Sequence, residues 1–156
     1  MKRKNLYMLS GPAGSGKSTY VATNFPDAVV VSRDAIRFAL LKEGDDYFAY
    51  EDTVLQIFYT EIQNAIDSDK ENDIIIDATH LTPKARATCL KELKNLDKVN
   101  LVALSIEVPL AIALYRNNQR SGRARVPDTV IRNMYKSYKV PTVEEGFNEV
   151  RRIANG

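Results

Sequence analysis

The sequence has very little cysteine and histidine, with one residue of each, Cys89 and His80. A single cysteine excludes an internal disulfide and a zinc site built from several cysteines. Long apolar runs are also lacking, because no stretch approaches the roughly 20 apolar residues that a membrane-spanning helix needs. The basic residues near the start precede a short apolar run and a glycine loop, which is not the pattern of a signal peptide. We therefore expect a cytoplasmic protein that does not contact a membrane.

The chain also lacks internal repeats, low-complexity segments and linkers. Hydrophobic residues make up 44% of the composition and charged residues 27%, as in ordinary globular proteins. A chain of 156 residues can bury most of its apolar surface in one core. We therefore expect residues 1–156 to form a single domain.

Positive charge is concentrated in one part of the chain, although the formal net charge is only +2. Between residues 116 and 139 there is one acid, Asp128, and the segment carries a net charge of +6. Its basic residues are Arg116, Arg120, Arg123, Arg125, Arg132, Lys136 and Lys139. Such segregation can attract a polyanion such as a nucleic acid, but it can equally serve the phosphates of a nucleotide.

The most informative segment is Gly11–Thr19, which contains the phosphate-binding pattern G-x-x-x-x-G-K-[ST]. An apolar run precedes it and a helix can follow it, so backbone N–H groups would converge at the positive end of a helix dipole. Lys17 would then reach the β- and γ-phosphates of ATP, and Ser18 would ligate Mg²⁺. The expected ATP-binding residues of this loop are Gly11, Ala13, Gly14, Ser15, Gly16, Lys17, Ser18 and Thr19.

Strand and helix patterns alternate along the chain. Apolar and β-branched runs predict strands at Asn5–Ser10, Ala28–Val31, Asp73–Asp77 and Val99–Glu107, with Glu149–Ile153 as a further candidate. Apolar spacing and capping residues predict helices at Gly16–Asn24, Arg33–Leu41, Val54–Ile66, Pro83–Asn95, Leu110–Arg120 and Pro127–Tyr138. This order favours an α/β P-loop NTPase fold, with a mainly parallel sheet of four to five strands and helices on both faces.

Polar side chains follow the second and third predicted strands, at the edge of the sheet where ligands bind in such folds. Asp34 and Arg37 are three residues apart and share one helix face. They could form a helix-dipole carboxylate with a local salt bridge, or a general base beside an arginine that holds an anionic acceptor. Asp77 ends an apolar run, and could either position Mg²⁺ as a Walker B acid does or cap the next turn.

Two further groups are candidate site residues. The lone His80 is either a hydrogen-bonding structural group or a contact to the acceptor. The expected acceptor-binding residues are therefore Arg37, Asp77 and His80. The basic loop at about 116–127 is an expected lid, in which Arg116 and Arg120 would bind ATP and neutralise the transferring phosphoryl group, although a solvated basic face is the alternative. Arg123 and Arg125 receive no individual role.

Five segments together match one known family. They are Gly11–Thr19, Ser32–Arg37, Ile76–Pro83, Arg116–Arg120 with Val126-Pro127 after it, and Val140–Val150. On these segments, which span nearly the whole chain, the sequence resembles the polynucleotide 5′-hydroxyl kinases, the phage-type end-healing kinases of nucleic-acid repair. The P-loop alone is generic, whereas the spaced Arg-Asp-x-x-Arg and Arg-Asn-x-x-Arg patterns are more specific.

The resemblance implies transfer of the γ-phosphate of ATP to the 5′-hydroxyl end of DNA or RNA, with Mg²⁺. It implies that Asp34 is the general base and that Arg37 holds the phosphate next to the acceptor nucleoside. Lys17 and Arg120 would be catalytic through their contacts with the transferring phosphoryl group, and Arg116 would lie against the adenine. His80 departs from the family, since many members have asparagine there, and this allows a different acceptor.

Two other functions fit the sequence. A small-molecule kinase of the same architecture would phosphorylate a sugar acid, a nucleoside or an antibiotic. An ATP-dependent switch would need a residue that positions water and often an arginine from a partner. Here the arginines lie in the chain itself, and Asp34 with Arg37 suits an acceptor better than water. The sequence is compatible with a homo-oligomer and does not distinguish DNA from RNA.

Overall fold

A five-stranded parallel sheet lies at the centre of the computed structural model, which describes residues 3–155. The strands are β1 (Lys4–Ser10), β2 (Val29–Ser32), β3 (Ile74–Asp77), β4 (Val99–Glu107) and β5 (Glu149–Ala154). The helices are α1 (Lys17–Asn24), α2 (Arg33–Leu40), α3 (Glu51–Asp67), α4 (Pro83–Lys91), α5 (Leu110–Asn118) and α6 (Asp128–Ser137). The strands lie in the order β2-β3-β1-β4-β5, and each neighbouring pair is parallel.

The central strands are apolar on both faces because helices cover both sides of the sheet. The whole of Ile74–Ile76 in β3 is fully buried. Side chains of β1 alternate between the faces, as the two-residue period of a strand requires. Leu6 and Met8 pack in the cluster that includes α3 and α4, whereas Tyr7 and Leu9 pack in the cluster that includes α1. These two layers hold the strand ends, and therefore the loops that follow them, in fixed positions.

The predicted fold is confirmed, and every predicted strand is present with ends within one residue of the expected ones. The largest difference is in α4, which ends at Lys91 rather than at Asn95. The backbone N–H of Lys94 donates to Oε1 of Gln63 in α3 at 2.8 Å. Asn95 then adopts a left-handed conformation with φ of 64°, which cannot continue an α-helix. The helix α4 therefore ends before Asn95, and the chain continues to the start of β4 at Val99.

Three loops meet beyond the carboxyl ends of the strands, as expected for a parallel α/β sheet. They follow β1, β2 and β3, the three adjacent strands on one side of the sheet. The helices α5 and α6 pack together through Ala113 and Ile131 and carry the predicted lid between them. None of the helices in residues 3–155 is both long and apolar enough to span a membrane.

Candidate active site

The P-loop joins β1 to α1, and two of its positions favour glycine. Gly14 has φ of 82°, and a Cβ there would lie 2.5 Å from the carbonyl oxygen of Ala113. Gly16 has φ of 84°, and a Cβ there would lie 2.5 Å from Nδ2 of Asn155. Positive φ values disfavour residues with a side chain, so the conformation favours glycine at both positions. At Gly14 space requires it as well, because the neighbour is backbone, whereas at Gly16 the neighbours are the ends of flexible side chains. The loop backbone is thereby shaped to curve around a ligand at the N-terminus of α1.

Lys17 is the first residue of α1, and its ammonium group turns back into the loop. Its Nζ donates to the carbonyl oxygens of Gly11 and Pro12, both at 3.0 Å. Burial lowers the pKa of Lys17 to about 8, while the negative charge of Asp77 acts in the opposite direction. A cation that has lost much of its hydration gains strongly from a charged hydrogen-bond acceptor. The loop is therefore arranged to receive an anion such as phosphate.

Asp77 and Ser18 border the same cavity as Lys17. Burial raises the pKa of Asp77, and the nearby charge of Lys17 partly offsets this effect. Mg²⁺ in kinase sites usually takes one or two oxygen ligands from the protein and completes its shell with phosphate oxygens and water. The hydroxyl of Ser18 and the carboxylate of Asp77 fit that requirement, because both are hard oxygen donors beside the predicted phosphate position.

Asp34 presents an exposed carboxylate on the other side of the cavity. The hydroxyl of Ser32 caps α2 by accepting a hydrogen bond from the backbone N–H of Ala35 at 3.1 Å, which places Asp34 in the first turn. The side chain of Asp34 is 63% exposed. Arg37 donates to its Oδ1 at 2.5 Å, and the hydroxyl of Tyr47 donates to the same oxygen at 3.2 Å. The carboxylate is thus oriented by two neighbours while it stays open to the cavity.

Arg37 lies behind Asp34, held by Glu51, an acid that sequence reasoning missed. The side chain of Arg37 is only 5% exposed. Its Nε and Nη2 donate to the two carboxylate oxygens of Glu51 at 2.9–3.2 Å, and Arg33 forms a further ion pair with Glu51. Burial acts to lower the pKa of Arg37, but hydrogen bonds to Glu51 raise it above its usual value. This differs from the expected role, in which Arg37 holds an acceptor phosphate.

Three arginines of the predicted lid border the cavity, namely Arg120, Arg123 and Arg125. The charge of Arg120 contributes to the lowered pKa of Lys17, as expected for two neighbouring cations. Arg123 reaches the loop after α2, where its Nη2 donates to the backbone oxygen of Asp45 at 2.6 Å. The lid segment and that loop therefore both border the cavity and are joined by this hydrogen bond.

Arg116 occupies a different place from the other arginines. Its Nη1 donates to the carbonyl oxygen of Ser15 at 3.1 Å, and its Nη2 donates to that of Asn155 at 2.8 Å. Its side chain therefore braces the P-loop from α5 and does not border the cavity. Contact between Arg116 and an adenine ring stays a prediction.

His80 lies behind the P-loop and is only 7% exposed. Burial lowers the pKa of His80 to about 4, so the ring is neutral near pH 7. Its Nδ1 lies 3.0 Å from the carbonyl oxygen of Leu9, which requires the proton on that nitrogen. The backbone oxygen of His80 accepts hydrogen bonds from Ser10 and from the fully buried Arg86. These contacts favour the structural interpretation of His80 over a contact to the acceptor.

The cavity between these groups has a volume of about 730 Å³ and joins the P-loop to Asp34. Two adjacent aromatic residues that sequence reasoning also missed, Tyr47 and Phe48, form part of its wall. Their signal in the sequence is weak, since it consists of two aromatic residues inside an acidic loop. A separate cavity of about 420 Å³ lies at the opposite ends of the strands, and none of the predicted site residues borders it.

Comparison with known proteins supports this description of the fold. A family model described as an AAA domain matches residues 6–141. None of the curated proteins matches the chain in sequence. In structure, the chain is similar to a chain of the Pnkp1/Rnl/Hen1 RNA repair complex, with a TM-score of 0.72 and 19% identity. That likeness covers 88% of this chain but only 44% of the repair protein.

Two further solved structures cover nearly all of both chains. A gluconokinase from Sinorhizobium meliloti 1021 has a TM-score of 0.60 at 14% identity, over 100% of this chain and 85% of the gluconokinase. Kti12 from Chaetomium thermophilum, in complex with ADP-AlF3, has a TM-score of 0.64 at 14% identity, over 96% of this chain and 88% of Kti12. Identities this low show the fold. Because the family match covers most of its length, the chain belongs to the AAA domain family and has the fold of the P-loop kinases.

Proposed function

We propose that this protein transfers the γ-phosphate of ATP to the 5′-hydroxyl end of a DNA or RNA strand. One observation carries the proposal: an exposed carboxylate, Asp34, shares a single cavity with the P-loop lysine and with the lid arginines. A carboxylate in this position suits the deprotonation of an acceptor hydroxyl, as in other phosphoryl transfers. The likeness to a chain of an RNA repair complex supports the same acceptor.

On the donor side, the P-loop backbone would bind the β- and γ-phosphates at the N-terminus of α1. When ATP binds, Nζ of Lys17 would donate to phosphate oxygens instead of to the carbonyl oxygens of Gly11 and Pro12. Arg120 would approach the same phosphates from the lid, so that charge developing during transfer is neutralised within this chain. Ser18 and Asp77 are the residues that would hold Mg²⁺, which when bound would draw charge from the β- and γ-phosphate oxygens.

On the acceptor side, Asp34 would accept the proton of the 5′-hydroxyl. The 5′-oxygen then forms its bond to the γ-phosphorus while the bond between that phosphorus and the β–γ bridging oxygen breaks, and ADP leaves. Arg37 acts here through Asp34, whose Oδ1 it holds, and is therefore a positioning residue. Tyr47 supports the same oxygen from the loop after α2. The acceptor hydroxyl must lie within hydrogen-bond reach of Asp34 for this step.

The variant Asp34→Asn tests the assignment of the base. It preserves the size of the side chain but removes its ability to accept a full proton, so kcat should fall by about 10²- to 10⁴-fold. The affinity for ATP, measured by titration calorimetry, should change by no more than a few-fold. Asp69→Asn is the matched control, since Asp69 is an exposed acid on the loop that enters β3 from the opposite end. Transfer by Asp34→Asn at the wild-type rate would contradict the assignment.

A small-molecule kinase is the second candidate, and the geometry of Arg37 favours it. The donors of Arg37 are engaged by Glu51, Asp34 and Tyr47, so this guanidinium is not presented to an acceptor phosphate. The likeness to a gluconokinase also supports this candidate. It predicts that a 3′-nucleoside monophosphate is no better an acceptor than the free nucleoside, and that a sugar acid is better than either. A preference for the 3′-phosphorylated nucleoside would exclude this candidate.

A further inference from the structure

Phe48 is a large apolar side chain that borders the cavity and is left 65% exposed. An aromatic ring that stays exposed does not contribute the folding free energy that its burial would provide. The loop that carries Phe48 also contains three acids, Glu43, Asp45 and Asp46. A ring in this setting is available to cover a planar apolar surface of a ligand.

The loop that carries Phe48 is held in place from several directions. The ring of Tyr47 packs edge-on against Phe48 with 4.8 Å between the centroids, and Cζ of Arg37 lies 5.5 Å from the centroid of Phe48. Arg37 is itself held by Glu51. From the lid, Arg123 donates to the backbone oxygen of Asp45 in the same loop. The ring is therefore preorganised, and a ligand that stacks on it would lose little affinity to ordering of the loop.

The position of the ring relative to Asp34 limits what can lie against it. The hydroxyl of Tyr47 contacts Oδ1 of Asp34, so Phe48 is the immediate neighbour of a residue that touches the proposed base. If the hydroxyl of an acceptor lies at Asp34, the chemical group next to that hydroxyl would lie along the part of the cavity lined by Tyr47 and Phe48. Arg123 and Arg125 of the lid also line this cavity, and Arg123 is hydrogen-bonded to the loop that carries Phe48. The cavity near Asp34 thus combines the flat apolar surface of Phe48 with the positive charges of Arg123 and Arg125, which complement phosphates.

We propose that Phe48, supported by Tyr47, stacks against the terminal nucleobase of the acceptor strand, and that the site therefore selects acceptors with a base at their 5′ end. This inference rests on the proposed function and names a binding determinant within it. Every nucleobase has a flat π-face that can stack on an aromatic ring, whatever its hydrogen-bonding edge. A sugar acid presents hydroxyl groups over most of its surface, and these would lose water against Phe48 without gaining polar partners.

Steady-state transfer to matched acceptors tests the inference. Two 5′-hydroxyl oligonucleotides of identical sequence would be compared, one with adenine at the 5′ position and one with an abasic sugar there. Phe48→Ala should raise KM for the adenine-ended strand by about 10- to 100-fold with little change in kcat, since base–aromatic stacking has this magnitude. The same variant should leave KM for the abasic strand nearly unchanged, and Phe48→Trp should behave as the wild type.

The control is Tyr115→Ala, because Tyr115 is equally exposed, at 67%, but does not border the cavity. It should not change KM for either strand. If Phe48→Ala raises KM for both strands by the same factor, or for neither, the stacking role is wrong.

Fluorescence of a strand with 2-aminopurine at its 5′ end separates this inference from the proposed function. Stacking on Phe48 should give the bound 2-aminopurine a fluorescence different from that in Phe48→Ala at saturating protein. Transfer to the strand with the same bound fluorescence in both proteins would overturn the stacking role and leave the kinase assignment intact. A Phe48-dependent fluorescence without any transfer would support the stacking role and contradict the kinase assignment. If neither transfer nor a Phe48-dependent fluorescence is observed, both proposals are wrong.

Discussion

The two sides of the cavity are built from different parts of the chain. The proposed donor side is built on the P-loop backbone, which is shaped by Gly14 and Gly16, supported from behind by the buried His80, and joined by the side chain of Lys17. The acceptor side is mainly side chains, carried by α2 and by the loop after it, and its central carboxylate, Asp34, is 63% exposed. A backbone cradle suits a group common to all reactions of this kind, whereas exposed side chains can differ from one protein to the next. In the proposed reaction, the choice of acceptor would therefore depend on the side chains around Asp34.

Each side of the cavity is supported from behind by an ion pair between an arginine and a glutamate. Behind the P-loop, Arg86 is fully buried, and its Nε donates to Glu145 at 2.7 Å. Behind Asp34, Arg37 is 5% exposed and pairs with Glu51. The two acids are similarly shielded, since the side chain of Glu145 is 15% exposed and that of Glu51 is 21% exposed. Removal of one partner from either pair should therefore leave a largely buried charge without its counter-ion.

Removal of the donor-side cation should have the largest effect on activity. In Lys17→Ala the P-loop loses the charge that faces the phosphates, so kcat/KM should fall by about 10³-fold or more. Single-turnover transfer from labelled ATP would measure this. Lys84→Ala, which alters an exposed lysine of α4, is the control and should keep wild-type activity. Equal losses in the two variants would show that the donor side does not depend on Lys17.

Loss of the acid that holds Arg37 should have an intermediate effect. Glu51→Gln leaves Arg37 with one charged partner fewer, so Asp34 is oriented less well and kcat should fall by about 10- to 100-fold. Affinity for ATP should change little, because Glu51 does not border the cavity. Glu61→Gln, on the exposed surface of the same helix, is the control.

A double variant shows whether Glu51 acts through the proposed base. If it does, Asp34→Asn combined with Glu51→Gln should be no less active than Asp34→Asn alone, since residues that act as a unit are not additive. If kcat of the double variant falls by the product of the two single-variant factors, Glu51 has a role that is independent of Asp34.

The smallest predicted effect concerns stability rather than activity, and it tests the buried support of the donor side. The pKa of His80 is about 4 in the folded chain, below the value of about 6.5 for an unfolded chain. Between pH 7.5 and pH 5 the unfolded chain takes up a proton that the folded chain does not. The free energy of unfolding should therefore fall by about 2 kcal/mol through this group alone.

Urea denaturation at the two pH values would measure the effect of His80. His80→Asn removes the titrating ring, and asparagine tolerates the positive φ of 43° at this position. The wild type should lose about 2 kcal/mol more than this variant on acidification. The same pH dependence in both proteins would show that the ring is not held neutral by the fold.

The fold and the donor side could be predicted from the sequence because their signals are local. The P-loop pattern lies within nine consecutive residues, Gly11–Thr19, and each strand is marked by its own apolar run. Asp34 was also identified locally, from its place after Ser32 in the first turn of a helix. In each case neighbouring residues determine the local backbone conformation, while contacts from distant residues such as Tyr47 complete the orientation of the side chain.

The rest of the site depends on contacts between residues that are distant in the chain. Glu51 is 14 residues from Arg37, and no spacing rule relates the end of α2 to the start of α3. The spacing of Asp34 and Arg37 predicts either a local salt bridge or an arginine that holds an acceptor, and it gives no sign that Glu51 engages the remaining donors of Arg37. His80 was placed at the correct strand end, but its burial follows from packing against Leu9 and Arg86. Local patterns contain no information on such packing.

The proposed acceptor is tested most directly by following the label from γ-labelled ATP. A 5′-hydroxyl oligonucleotide and gluconate would be offered together at equal concentration to the wild-type protein with Mg²⁺. We expect the label on the 5′-oxygen of the oligonucleotide, from which a phosphatase removes it, and we expect Asp34→Asn to form this product about 10²- to 10⁴-fold more slowly. Label on gluconate, or release of inorganic phosphate without a labelled acceptor, would contradict the proposed function.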